Sequence, residues 1–324
     1  MSLPSCRDKP LFLSISGYTQ GTTYSVVYDN SKHITPESLN VDVEKILYDF
    51  DMSLSLYRDS SIISKINRNE DVVPDSFFIE VFNKSVLISE MTSGAFDITV
   101  GPLVKAWGFG PDEHKNFKAE KRDSLMRLVG MGKVSIINGR LVKSDPAIQL
   151  DVNAIAQGYS VDVLCRYFNN LGIRNYLVEI GGEVRAKGTK AGVLWRIGID
   201  KPIDNNISPG QNLQAIILIG DKALATSGNY RKFYVEDGVK YSHTIDPKTG
   251  YPAKNRLLSA TIIADECITA DGIATACMVM GLERSIEFIN DNPQLSGYLV
   301  FSDDNGNFKT WISPELEEYI SESE

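Results

Sequence analysis

The chain has 324 residues, 43% apolar and 23% charged, and carries a formal charge of −9. That length supports a sizeable core in one large domain or two smaller ones. The acidic balance speaks against a general nucleic-acid binder, and no apolar run reaches the ~20 residues that cross a membrane as a helix.

Residues 1–10 read as a tail ahead of the first strand pattern. In "LFLSISGYTQGTTYSVVYD" alternating Thr, Tyr and Val predict two strands around a glycine-containing turn. "PESLNVDVEKILYDFDMSLSLY" predicts a helix starting near Pro36, and "DSFFIEVFNKSVLISEMTSG" another, ended by Gly94. "KVSIINGRLVKSDPAIQLDVN" reads as a hairpin on Asn138-Gly139 followed by a strand. "AIAQGYSVDVLCRYFNNLGI" is a helix closed near Gly172. "NYLVEIGGEVRAKGT", "LWRIGID", "QAIILIG", "KALATSG" and "SATIIAD" read as strands, and an apolar helix runs from Cys267 to Gly281. "SIEFIN" is helical, and "SGYLVFSDDNGNFKTWIS" is a C-terminal hairpin. Without strict βαβ alternation the pattern predicts an α+β fold of mixed and antiparallel sheets with packed helices. No composition break marks a linker, so residues 11–324 read as a single domain. Neither G-x-x-x-x-G-K-[ST] nor a strand-linked G-x-G-x-x-G occurs.

The apolar helix "CITADGIATACMVMG" places Asp271 in its first turn and Thr275 one turn later, on the same face. Two oxygen donors suit a hard cation such as Mg²⁺, which binds through one or two carboxylates plus substrate phosphates. The plainer reading makes Asp271 a helix-end charge and Thr275 a core hydroxyl bonded to the preceding turn. In "LDVNAIAQGYSVD" a strand ends at Asp151 and a small-residue helix begins around Ala154, which admits either a ligand or a closely packed backbone. "TSGAFDITVGPLVKAWGFG" sets Asp97 among small and aromatic residues, as a slot or as core. "ATSGNYRKFYVEDGVKYSHTIDPKTGYPA" is the most polar and turn-rich stretch, with Ser227, Arg231, His243 and Asp246. His243 suits a general base near neutral pH, or a structural role. Tyr57 follows a helix, where an exposed ring could stack on a flat ligand. "EIGGEVRAKG" is a strand broken by two glycines, at a bulge or at a close approach to something bound.

Four cysteines form no C-x-x-C pair, and with three histidines they argue against a Cys/His zinc site. Cys165, Cys267 and Cys277 fall in apolar helical patterns and read as core. Cys6, in "LPSCRDKP", has no complete signal peptide before it, and reads equally as a lipid-attachment cysteine or an incidental tail residue.

Taken in order, "SLYRDSSIISKIN", "TSGAFDITVGPL", "LDVNAIAQGYSVD", "VEIGGEVRAKG", "ATSGNYRKFY", "YSHTIDPKTGYP" and "TADGIATACMVMG" resemble the signatures of the ApbE family, the FAD:protein FMN transferases. The resemblance runs from about Thr19 to Gly281. It implies an ApbE-like, T-fold-related architecture with FAD in a central cleft. It also implies that Mg²⁺-bound FAD is split at its pyrophosphate. The FMN half joins through phosphate to a Thr or Ser hydroxyl of an acceptor, and AMP leaves. Acceptors of the family are flavin-bearing redox proteins of the cell envelope. By the same resemblance Asp271, Thr275 and the main-chain carbonyl of Ala154 hold the metal. Gln20, Tyr57, Ala95, Phe96, Asp97, Asp151, Gln157 and Ile245 line the FAD. Tyr57 and Phe96 then offer flat faces, and Asp97 accepts hydrogen bonds from a base or ribose. His243 is the candidate for taking the acceptor's proton, Asp246 is a weaker one, and Arg231 meets phosphate or acceptor. Two positions depart from the family: Gln20 stands where Met is common, and Gln157 where Lys is frequent, which removes a cation near the pyrophosphate.

The family usually works outside the cytoplasmic membrane, often as a lipoprotein. The resemblance therefore implies a periplasmic or envelope location, with Cys6 as a possible lipid anchor. Two other functions fit the same residues: an FAD pyrophosphatase releasing free FMN and AMP, and an envelope protein that binds FAD without turnover.

Overall fold

A hairpin forms one edge of the main sheet. β1 (Phe12–Thr19) and β2 (Thr22–Asp29) pair antiparallel around Gln20-Gly21. Both turn residues have positive φ, 51° and 74°, as a two-residue type I′ turn requires. The structure, a computed structural model, describes residues 12–109, 119–203, 210–229, 233–236, 239–242 and 244–322. Cys6 lies outside them.

α1 (Pro36–Leu54) starts on a Thr35 cap, with proline in its first turn. It buries Leu39, Val43, Leu47, Phe50 and Leu54 at helical spacing. α2 (Ile62–Asn67), α3 (Ser76–Met91), α4 (Gly101–Trp107) and α5 (Ala119–Met126) follow; α2, α4 and α5 are too short for periodicity to reveal. β3 (Val134–Ile137) and β4 (Arg140–Lys143) form the hairpin expected on Asn138-Gly139.

The strand expected to end at Asp151 does not form. Ile148, Leu150 and Val152 are buried alternately, as in a strand. Yet Leu150 exchanges its backbone bonds with the Asn67 side chain, at 2.8 and 2.9 Å, in place of a neighbouring strand.

α6 (Ala156–Asn170) leads into β5 (Tyr176–Ile180) and β6 (Glu183–Lys187). Gly181 and Gly182, at φ 66° and 107°, make a two-residue hairpin turn between them and no bulge. Next come β7 (Trp195–Asp200), β8 (Leu213–Ile219) and β9 (Ala223–Gly228). β10 (Phe233–Glu236) and β11 (Val239–Ser242) pair only with each other among the described residues. β12 (Leu257–Ala264), α7 (Cys267–Met280), α8 (Leu282–Asn290), β13 (Ser296–Ser302), β14 (Phe308–Ile312) and β15 (Ile320–Glu322) complete the chain.

Over the described residues, eight strands form one sheet in the order β1-β2-β5-β6-β9-β12-β13-β14, antiparallel at every pairing. This is the expected α+β class. α1, α6 and α7 cover one face, with α3 packed over α7. The small sheet β15-β8-β7 covers the other, through Ile197, Ile199, Ile217, Leu224, Ile263 and Val300. No helix among the described residues is long and apolar enough to cross a membrane.

Candidate active site

α7 lies over the middle of the large sheet, against β9, β12 and α6. Its first turn is Cys267–Ala270, so Asp271 opens the second turn, one residue later than the sequence suggests. A helix dipole acts within the first turn. Asp271 is therefore not explained as a helix-end charge. It is 6% exposed, and its Oδ2 accepts the Gly158 N–H at 2.9 Å. Gly158 is the third residue of α6, where a helix N–H has no partner within the helix, so Asp271 caps the start of α6 from outside. Among the described residues no backbone N–H reaches the Ala154 carbonyl, which stands at the foot of α6 with free lone pairs.

Gly158 makes this arrangement possible. A Cβ there would stand 2.5 Å from the Cys267 carbonyl oxygen and 2.6 Å from the Asp271 Cβ. The small residues of this stretch thus serve close helix–helix packing, and that packing aims the start of α6 at Asp271.

Asp162, one turn further along α6, is fully buried. Its two oxygens accept the Cys267 and Ile268 N–H groups at 3.0 and 2.8 Å, capping α7 from a neighbouring helix. Glu266 occupies the N-cap position without making that bond and pairs with Lys84 at 2.6 Å. Arg185 of β6 forms an ion pair with Asp162.

Thr275 does not bond back to the preceding turn. Ser85, Thr92 and Ser285 do so, at 2.7, 2.7 and 2.6 Å. The Thr275 Oγ1 instead lies 3.2 Å from the Ser227 Oγ at the end of β9. The candidate donors are then the Asp271 carboxylate, the Thr275 hydroxyl and the Ala154 carbonyl, with Ser227 against Thr275. Burial pushes the Asp271 carboxyl up to about 7, with the Gly158 N–H pulling the other way. Among the described residues no Lys or Arg pairs with it, and no cluster of three or more His, Cys, Asp or Glu forms. A hard divalent cation that completes its shell with phosphate oxygens fits such a set. Cys267 is no nucleophile, because burial and the surrounding carboxylates raise its thiol well above the usual value.

Two loops flank this centre. The Asp151 N–H donates to the Ile98 carbonyl at 2.7 Å, and the Asp151 Oδ1 accepts the Asn153 N–H at 2.9 Å, forming the turn that delivers Ala154. The Asp97 Oδ1 accepts from the Thr99 N–H and hydroxyl at 2.7 and 2.6 Å, and Oδ2 from the Met131 N–H at 3.1 Å. Burial raises its pKa against those bonds. Asp97 is thus built into its own loop. Ala95 and Phe96 are buried in the main core, so the Phe96 ring is covered by the chain and offers no open face. Tyr57 is the open ring, 65% exposed, its phenol raised by burial and by the charge of Asp151.

Gln157 occupies the space beside Gly181 that a Cβ would take, together with Thr22. The close approach at the two glycines therefore comes from within the chain. The Gln20 Nε2 is buried with no partner among the described residues. Ile245 bridges to Pro252 and packs with Leu103, Trp107 and Val129. Asp246 closes its own turn, accepting from the Lys248 N–H at 2.8 Å and the Thr249 hydroxyl at 3.1 Å, which does not suit a free base. Arg231 and His243 lie outside the described residues. The structure ties the start of α6 to Asp271 through Gly158, and Thr275 to Ser227. Gly158, Asp162 and Ser227 carry weight that motif reading does not assign. The available signal is the one that marks Asp271: a polar group on an apolar face.

The model of the ApbE family matches residues 20–299. A Vibrio cholerae protein named FAD:protein FMN transferase is 37% identical, over 98% of this chain and 96% of its own. One of the same name from Haemophilus influenzae is 36% identical, over 94% and 91%. The solved structure of the flavin transferase ApbE from Vibrio cholerae superposes with a TM-score of 0.85 at 37% identity, covering 96% of this chain and 99% of that one. The apo flavinyl transferase ApbE from Pseudomonas stutzeri gives 0.85 at 34% identity, covering 96% and 97%.

Proposed function

The chain belongs to the ApbE family, and on that footing we propose that it is a Mg²⁺-dependent FAD:protein FMN transferase. The acceptor is a redox protein of the cell envelope that presents a Thr or Ser hydroxyl. The supporting observation is Asp271, a buried carboxylate with no cationic partner among the described residues, whose Oδ2 holds the start of α6 through the Gly158 N–H. Ala154, Asp271 and Thr275 would hold the ion, whose chemistry is to offset charge on the FAD pyrophosphate and on departing AMP.

The remaining roles belong to the chain. Tyr57, exposed beside Asp151, covers the flavin and keeps water from the phosphate in place of the acceptor. Asp97 and Asp151 hold the two loops that form the floor. His243 takes the proton as the acceptor oxygen bonds to the FMN phosphorus and the bond to AMP breaks. Mass spectrometry of an acceptor protein after incubation with FAD and Mg²⁺ tests the reading. The expected product carries one added FMN on Thr or Ser, and H243N makes it far more slowly. Rapid release of free FMN without acceptor would replace the proposal with a pyrophosphatase. No AMP under any condition would leave only a flavin binder.

A further inference from the structure

We propose that Ser227 is a positioning residue that turns the Thr275 hydroxyl toward the cation, an inference that rests on the metal reading above. A threonine hydroxyl has one proton and two lone pairs. If a lone pair faces a cation, the proton must be taken elsewhere. In a helix the usual taker is the carbonyl four residues back, the acceptor used by Ser85, Thr92 and Ser285. For Thr275 that carbonyl belongs to Asp271, yet the hydroxyl is found against Ser227 instead, at 3.2 Å. Either oxygen of the pair can donate, so the contact is a rotor with two settings. With a cation present, Thr275 donates, Ser227 accepts, and the free lone pairs of Thr275 face the ion.

The scaffold suits the task. β9 lies between β6 and β12, and Ser227 stands opposite Ala260 in the ladder. Its neighbour Thr226 bonds to Thr261 of β12 at 2.8 Å. Alternation along a strand puts Ser227 on the same face as Ala225, whose core cluster includes Ile273 and Ala274 of α7. The acceptor is thus carried by an interior strand rather than by a loop. Ser227 is itself half-buried, so its own proton can turn to water.

The test is Mn²⁺ binding followed by electron paramagnetic resonance, with FAD present, alongside the melting temperature with and without MgCl2. S227A should weaken Mn²⁺ binding about tenfold, the scale on which outer-shell partners act. Its metal-free melting temperature should stay near that of the wild type. S227T, which restores a hydroxyl, should recover most of the affinity. The double variant S227A/T275A should bind no worse than T275A alone, because Ser227 acts only through Thr275. Wild-type affinity in S227A overturns the proposal, as do additive losses in the double variant or a defect confined to the melting temperature. A wild type that binds no Mn²⁺ removes the metal reading itself, and this inference with it.

Discussion

Two buried carboxylates sit on facing helices and do each other's work. Asp162 of α6 caps the start of α7, and Asp271 of α7 takes an N–H from the start of α6. They differ in what balances their charge. Asp162 has Arg185, whereas Asp271 has no cationic side chain among the described residues. Burying an ionised carboxylate without a counter-charge costs several kcal/mol. Asp162 is therefore balanced within the chain, whereas burial without a counter-charge holds Asp271 toward its protonated form, a place that the proposed cation would fill. The contrast separates scaffold from site more cleanly than burial does, since both residues are buried.

The sharpest way to break the comparison is to remove each carboxylate in turn. D162A strips Arg185 of its partner and leaves two N–H groups of α7 uncapped. Loss of one member of a buried pair costs about 3–5 kcal/mol. The low end applies here, because the Arg185 side chain is 26% exposed. Denaturant melts of the metal-free protein measure it. D271N should behave in the opposite way. Asparagine keeps an oxygen for the Gly158 N–H and removes a buried charge, so stability should hold or rise. FMN transfer should fall by roughly 100-fold or more, beyond what an outer-shell partner gives. Equal stability losses in the two variants would erase the distinction.

G158A probes the contact that couples them. The new methyl meets the Cys267 carbonyl, which is backbone and cannot swing aside. Overpacking of this kind costs about 1–3 kcal/mol, and Mg²⁺ affinity should fall together with the melting temperature. The smallest effect is on pH. The Asp271 carboxyl is held up to about 7 by burial, against an ordinary 3.8, so the folded chain keeps a proton that the unfolded chain has released. Its contribution to metal-free stability is fully present below about 4 and is lost as pH rises through about 7. Burial also raises Asp97 and Asp162, with the same sign. The difference between wild-type and D271N melts across pH 4–8 therefore isolates the Asp271 share, and a flat difference would remove it.

Much of the fold is local and legible. Thr35-Pro36 and the spacing of Leu39, Val43 and Leu47 announce α1, and Asn138-Gly139 announces its hairpin. The segment at 147–151 shows the limit. Its alternation is real, but nothing in the local sequence says that Asn67 will stand in for a neighbouring strand. The candidate site divides in the same way. The Asp271/Thr275 pair is visible as polar residues on an apolar helix. Its orientation depends on Gly158 and Ser227, which arrive from distant elements. Phe96 illustrates the converse, an aromatic in a signature stretch that the core absorbs.

The crossed caps also bear on how the chain acquires its shape. Gly158 and Asp271 are 113 positions apart, and Asp162 and Cys267 are 105 apart. At a few residues per second during synthesis, α6 leaves the ribosome several seconds before its counterpart exists. Until α7 emerges, the head of α6 has only water for Gly158, and Asp162 has no helix to cap. The packing of these two helix starts is thus among the last features a nascent polypeptide can assemble, and the proposed cation site would form only with it.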